Sequence, residues 1–109
     1  MGRRDGASVS PVNFAYLEGF LNGDQAVIVE VLKLFRQQGD DWRRALAADN
    51  PDWRKVAHAI KGAARGVGAA ALGDACETAE FGRPEDLPPV HVQLDAALSA
   101  IADYLNKVN

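Results

Sequence analysis

Residues 25–48, QAVIVEVLKLFRQQGDDWRRALAA, set Ile28, Val31, Leu32, Phe35, Trp42 and Leu46 at helical spacing along one stripe. This is the longest periodic segment of the chain, and it predicts a long amphipathic helix. Upstream, Asn22-Gly23-Asp24 stops a short helix whose apolar side is Phe14, Leu17 and Phe20 or Leu21. Ser10 reads as the N-cap of that short helix and Pro11 as its first residue. Asp24 is placed to cap the long helix. Downstream, Asp49-Asn50-Pro51 is a break and a restart, with Asn50 capping and Pro51 opening a third helix that runs to about Val67. Gly66 and Gly68 mark its end. Residues 69–81 are Ala-rich and helical, with Leu72, Cys76 and Ala79 on one side. Phe81-Gly82-Arg83-Pro84 breaks that helix, and 82–88 is a loop ending near Pro88-Pro89. The last helix, about 89–107, carries Val90, Leu94, Ala97, Leu98, Ile101 and Leu105.

No segment shows sustained strand alternation. Short connections between amphipathic helices favour antiparallel neighbours. The expected fold is therefore all-α, an antiparallel up-and-down four-helix bundle built from the second to fifth helices. The short extra N-terminal helix caps one end or one edge. Residues 1–9 read as a flexible N-terminal lead and 10–109 as a single helical bundle domain.

The bulk composition bounds the function. A length of 109 residues is one domain with one modest core. A net charge of −3 argues against nucleic acid as a partner. No apolar run approaches the roughly 20 residues that span a bilayer, and no apolar h-region of a secretory signal is present. Cys76 is the one cysteine, so neither a disulfide framework nor a cysteine-based zinc site is expected. With only His58 and His91 as histidines, no metal site is expected, and a reducing cytoplasm is the natural home.

The third helix carries the chemistry. At about 100° per residue, Trp53, Val56, Ile60, Ala63, Ala64 and Val67 fall within about 60° of one direction, which is the core stripe. His58 lies on the opposite side. Arg54, Lys55, Lys61, Gly62 and Arg65 lie within about 60° of it. Six of the twelve Lys and Arg residues fall between Arg43 and Arg65, in a chain that is net acidic. Neutral imidazole is a good nucleophile near neutral pH and attacks an acyl phosphate through one ring nitrogen without a separate base. Lys61 and Arg65, one and two turns along, are placed to neutralise phosphoryl oxygens. Gly62, at i+4, removes the side chain that would stand over the imidazole. That glycine costs roughly 0.5–1 kcal/mol of helix stability relative to Ala, which invites a functional explanation. Periodicity alone supports only a histidine in a basic, sterically open patch.

The stretch Ala57-His58-Ala59-Ile60-Lys61-Gly62, with Gly68-Ala69 beyond it and then Leu72, Cys76 and Glu80, resembles the pattern of histidine-containing phosphotransfer (HPt) domains. The resemblance covers roughly residues 11–106. It implies a helical bundle whose histidine takes a phosphoryl group from the aspartate of a response-regulator receiver and passes it to another. His58 is then the phosphoacceptor, with Lys61 and Gly62 as its matched neighbours. The resemblance implies a carrier with no kinase activity and no cofactor of its own. Mg²⁺ belongs to the partner receiver, which can be that of a hybrid histidine kinase. Two positions depart from the pattern. Ala63 and Ala64 stand where serines are common, and Ala79 stands where a leucine is usual. All three bear on packing rather than on chemistry.

Two roles fit Gln38, which sits about 60° off the core stripe of the second helix. It is either a hydrogen-bond partner of the imidazole or phosphoryl group across the helix interface, or a boundary glutamine. His91 reads as a surface residue, Cys76 as a core thiol, and Trp42 and Trp53 as core anchors. Gly66-Val67-Gly68-Ala69-Ala70-Ala71 imitates a dinucleotide-binding loop, but no strand precedes it. The docking surface is expected around His58, with Arg54 and Lys55 contributing and the first helix extending it. A different class of function is a non-phosphorylated helical adaptor that binds a receiver or kinase and blocks it; the retained His-Lys-Gly set speaks against it. The phosphoacceptor part of a histidine kinase would need an ATP-binding domain, for which the chain leaves no room. Four staves in one chain predict a monomer.

Overall fold

The computed structural model describes residues 10–108. Among them the chain forms α1 (Phe14–Phe20), α2 (Gln25–Ala45), α3 (Trp53–Val67), α4 (Ala70–Glu80), a 3₁₀ turn (Pro84–Asp86) and α5 (Leu87–Val108). The expected lead over residues 1–9 lies outside the described residues. In the bundle, α2 packs on α3, α3 on α4, α4 on α5 and α5 back on α2, and among the described residues the backbones of diagonal helices stay further apart than those of neighbours. That closed ring is the expected four-stave bundle.

Local chemistry explains the ends of each helix, and several differ from the sequence reading. The N-cap of α1 is Asn13, whose Oδ1 accepts from Tyr16 N–H at 3.0 Å. Ser10 does not cap; its hydroxyl donates to the Val12 carbonyl. Asp24 caps α2 as expected, accepting from Val27 N–H at 3.2 Å. That helix ends at Ala45, three residues short of 48, because the Asn50 side chain donates to the Ala45 carbonyl. The Asn50 Oδ1 also accepts from Asp52 N–H at 3.0 Å, closing a turn over Pro51 and Asp52, and α3 starts beyond it at Trp53 rather than at Pro51. At the other end α5 starts at Leu87, two residues early. Pro88 and Pro89 are tolerated there because first-turn N–H groups have no intrahelical acceptor to lose.

Gly68 closes α3 with a φ of +86°, a conformation that favours glycine. Ala69 N–H donates to the Ala64 carbonyl at 2.8 Å and Gly68 N–H to that of Arg65 at 3.4 Å. Asn13 N–H then donates to the Gly68 carbonyl at 2.8 Å, which moors the start of α1 on the end of α3. Phe14 stacks on Tyr104 of α5 with ring centroids 4.4 Å apart, and the Tyr104 hydroxyl donates to Glu18. The short helix thus closes the end of the bundle where α3 and α5 finish.

The core is apolar throughout. Ile28, Leu32, Ile60, Leu72, Leu94 and Ile101 are fully buried, each contributing about 1.5–3 kcal/mol. Trp53 is buried, and Trp42 is half-buried with its ring edge-on to Phe35. Cys76 is wholly enclosed, and burial pushes its thiol up to about 12. Gly39 sets the approach of α2 to α5, since a Cβ there would stand 2.7 Å from a Leu98 methyl. No helix among the described residues is long and apolar enough to cross a membrane.

Candidate functional site

Ala57, Ile60 and Ala64 point α3 into the core at 0% exposure. His58 therefore projects outward, and its side chain is 67% exposed. One ring nitrogen is nonetheless held. Nδ1 lies 2.8 Å from Oε2 of Glu80, the last residue of α4. The other carboxylate oxygen, Oε1, is sealed from solvent and meets Lys61 Nζ as an ion pair at 2.8 Å. Lys61 is itself largely covered, and its ammonium sits 5.4 Å below the centroid of the Phe81 ring. The order of contacts is thus Phe81, Lys61, Glu80, His58.

This arrangement fixes the protonation pattern. The close Lys61 ammonium holds the Glu80 carboxyl below its usual range; desolvation opposes this and loses, and the His58 contact adds to the lowering. An ionised carboxylate only accepts hydrogen bonds. Nδ1 must then be the donor, and the neutral ring carries its lone pair on Nε2. That is the nitrogen left free to attack an electrophile.

Glu80 and Phe81 were not among the site residues read from the sequence. Glu80 is on another helix, so no periodicity connects it to His58. The available signal was its place in the family pattern together with its charge, opposite to that of Lys61.

The expected neighbours divide. Gly62 is exposed, and a Cβ there would meet nothing within 4 Å, so the backbone beside the imidazole is bare. Arg54 and Lys55 share with His58 a shallow depression also lined by Glu80 and Phe81. Lys55 is the freer of the two, exposed and only loosely paired with Asp52 at 3.8 Å. Arg54 stacks over Trp53 and donates to the Gly82 carbonyl at 2.8 Å. Lys61 differs from its expected posture, since its ammonium is folded onto Glu80 instead of standing open beside the ring.

Arg65 is not brought to His58. Its guanidinium donates to Glu77 at 2.8 Å and to Asp74 at 3.4 Å, with its stem lying across Gly73 of α4. Glu77 is held below the usual carboxylate range mainly by that hydrogen bond. Arg65 therefore clamps α3 to α4 and lines a separate depression. Gln38 lies in the groove between α2 and α3 with Leu34, Ala63 and Gly66, and no hydrogen bond joins it to His58 among the described residues. Gln38 is exposed there. His91 is more than a surface residue: its Nε2 contacts the Leu46 carbonyl at 2.7 Å and ties α5 to the end of α2.

Residues 27–104 match the Hpt domain family. The chain belongs to that family, whose members are phosphoryl carriers in two-component signalling rather than kinases. It is also similar to the histidine phosphotransferase ShpA from Caulobacter crescentus, known from a crystal structure. The two share 48% identity over 89% of this chain and 92% of that one, with a TM-score of 0.81. No curated protein sequence matches.

Proposed function

We propose that His58 is the phosphoacceptor, taking a phosphoryl group from the aspartate of a response-regulator receiver and passing it to another receiver. The observation that carries this reading is the Glu80 contact to Nδ1 of a ring that is otherwise open to solvent. The Nε2 lone pair forms a bond to phosphorus as the bond from phosphorus to the aspartyl oxygen breaks. The electron pair leaves on the partner's carboxylate. The proton stays on Nδ1, so the ring becomes a phosphoimidazolium cation whose charge faces Glu80. Return transfer is the same step reversed, and no proton has to move in either direction. Lys61 acts through Glu80 by keeping it ionised and in place. Lys55 is the cation best placed to meet phosphoryl oxygens, and Gly62 gives the partner room.

In this reading Mg²⁺ is supplied by the receiver and the carrier needs no cofactor. The protein acts as a cytoplasmic monomer, and the receiver of a hybrid histidine kinase is a suitable donor. The test is incubation with phosphorylated receiver domains. An acid-labile, base-stable label on the wild type and none on His58→Gln is the expected result. Receiver binding with no label on the wild type would leave the blocking adaptor instead.

A further inference from the structure

Phe81 is 76% exposed, more than any other large apolar residue among those described. A single exposed aromatic is ordinary; its position and fixation are not. It follows Glu80 directly, and its ring forms a wall of the depression around His58. Lys61 occupies one side of the ring, and most of its remaining surface is bare. The turn behind it is pinned. Arg54 donates to the Gly82 carbonyl, Gly82 N–H donates to the Ala79 carbonyl at 3.0 Å, and Arg83 N–H donates to Asp86 at 2.9 Å. A Cβ on Gly82 would stand 2.6 Å from the Thr78 carbonyl oxygen, so only glycine fits. The backbone that carries the ring is therefore set in place before any partner arrives.

We propose that Phe81 is a docking anchor for the receiver that exchanges phosphoryl groups with His58; this rests on the reading of His58 as the phosphoacceptor. Transfer requires a carboxyl phosphate within bonding reach of Nε2, so the partner's surface must cover the walls of the depression. Around His58 those walls are two cations, Arg54 and Lys55, one apolar ring, and the Glu80 carboxylate, whose charge is taken up by Lys61 and the imidazole. An acyl phosphate is anionic and matches the cations. The ring matches an apolar side chain at the rim of the donor site. Covering it excludes water from a phosphoryl group that water would hydrolyse. An aromatic anchor on a preset backbone also loses little entropy on docking.

Two donors test this. One is potassium phosphoramidate, too small to touch Phe81 while reacting at Nε2. The other is a phosphorylated receiver domain of a hybrid histidine kinase, chosen because it labels the wild type. Phe81→Ala is expected to raise KM for the receiver about tenfold, in line with loss of a buried aromatic anchor, with kcat changed by less than about twofold. Labelling by phosphoramidate is unchanged, Phe81→Leu recovers most of the KM, and Val92→Ala, exposed but outside the depression, behaves as wild type. An unchanged KM overturns the proposal. So does a parallel loss with both donors, which would mean that Phe81 works through Lys61 and Glu80. A label from either donor that persists undiminished on His58→Gln would instead remove the reading of His58 itself.

Discussion

Glu80 Oε2 stands 2.8 Å from His58 Nδ1 while its other oxygen is closed off against Lys61. One carboxylate thus does two things at once: it selects the tautomer of the exposed imidazole, and it is held to that task by a lysine on the imidazole's own helix. The histidine is mobile in principle, being largely solvated, but its orientation is fixed from the far side by α4.

Replacing that carboxylate should separate orientation from nucleophilicity. In Glu80→Ala the neutral His58 ring loses its preference for the proton on Nδ1. ¹⁵N NMR of the ring nitrogens is expected to show a mixture where the wild type shows one tautomer. With no carboxylate facing the charge that develops on the ring, phosphotransfer should slow by about tenfold. A wild-type tautomer ratio in the variant would refute the role given to Glu80.

The Lys61–Glu80 pair makes an acid-dependent contribution to stability. Glu80's folded pKa lies below its unfolded value. The contribution is therefore complete above the unfolded value, about 4.3, and is lost as pH falls through the folded one. Lys61→Met is expected to be less stable than wild type at about pH 7, with the gap closing below about pH 4. Urea midpoints for both proteins across that range check this, and a gap of constant size would count against it.

Gly62 separates activity from stability. Its missing side chain leaves open space, so Gly62→Gln introduces no clash within the protein. Glutamine is the better helix former, so the variant should gain up to about 0.5 kcal/mol. The same side chain stands over the imidazole one turn away, and transfer from a receiver should fall by about a hundredfold or more. Thermal melts and transfer rates on one preparation test both halves.

Gly68 should behave in the opposite way. A Cβ there would stand 2.7 Å from the Asn13 carbonyl oxygen, at a φ that side chains rarely adopt. Gly68→Ala is expected to cost about 1–3 kcal/mol. It should loosen α1 first, seen as faster amide exchange at Tyr16 and Leu17 than in α4. Uniform destabilisation across the bundle would mean that α1 is not moored there.

The sequence by itself determined the helices, the four-stave bundle and the outward histidine. Periodicity is a local property: Ile28, Leu32 and Phe35, or Ile60, Ala64 and Val67, share a face because of backbone geometry alone. The bare backbone at Gly62 was legible for the same reason. Helix ends were less so, because the Asn50 side chain serves both neighbours, donating to the Ala45 carbonyl that ends α2 and accepting from Asp52 N–H ahead of α3. Only the tertiary structure decided how the charges pair. Lys61 and Arg65 look alike on a helical wheel, yet one was drawn to Glu80 and the other to Glu77 and Asp74. Those partners come from α4, whose rotation against α3 is set by buried side chains such as Leu72 and Cys76. A one-dimensional pattern fixes the direction in which a side chain leaves its own helix. What it meets there depends on how a second helix packs, and that is why the imidazole could be read in advance and the carboxylate that orients it could not.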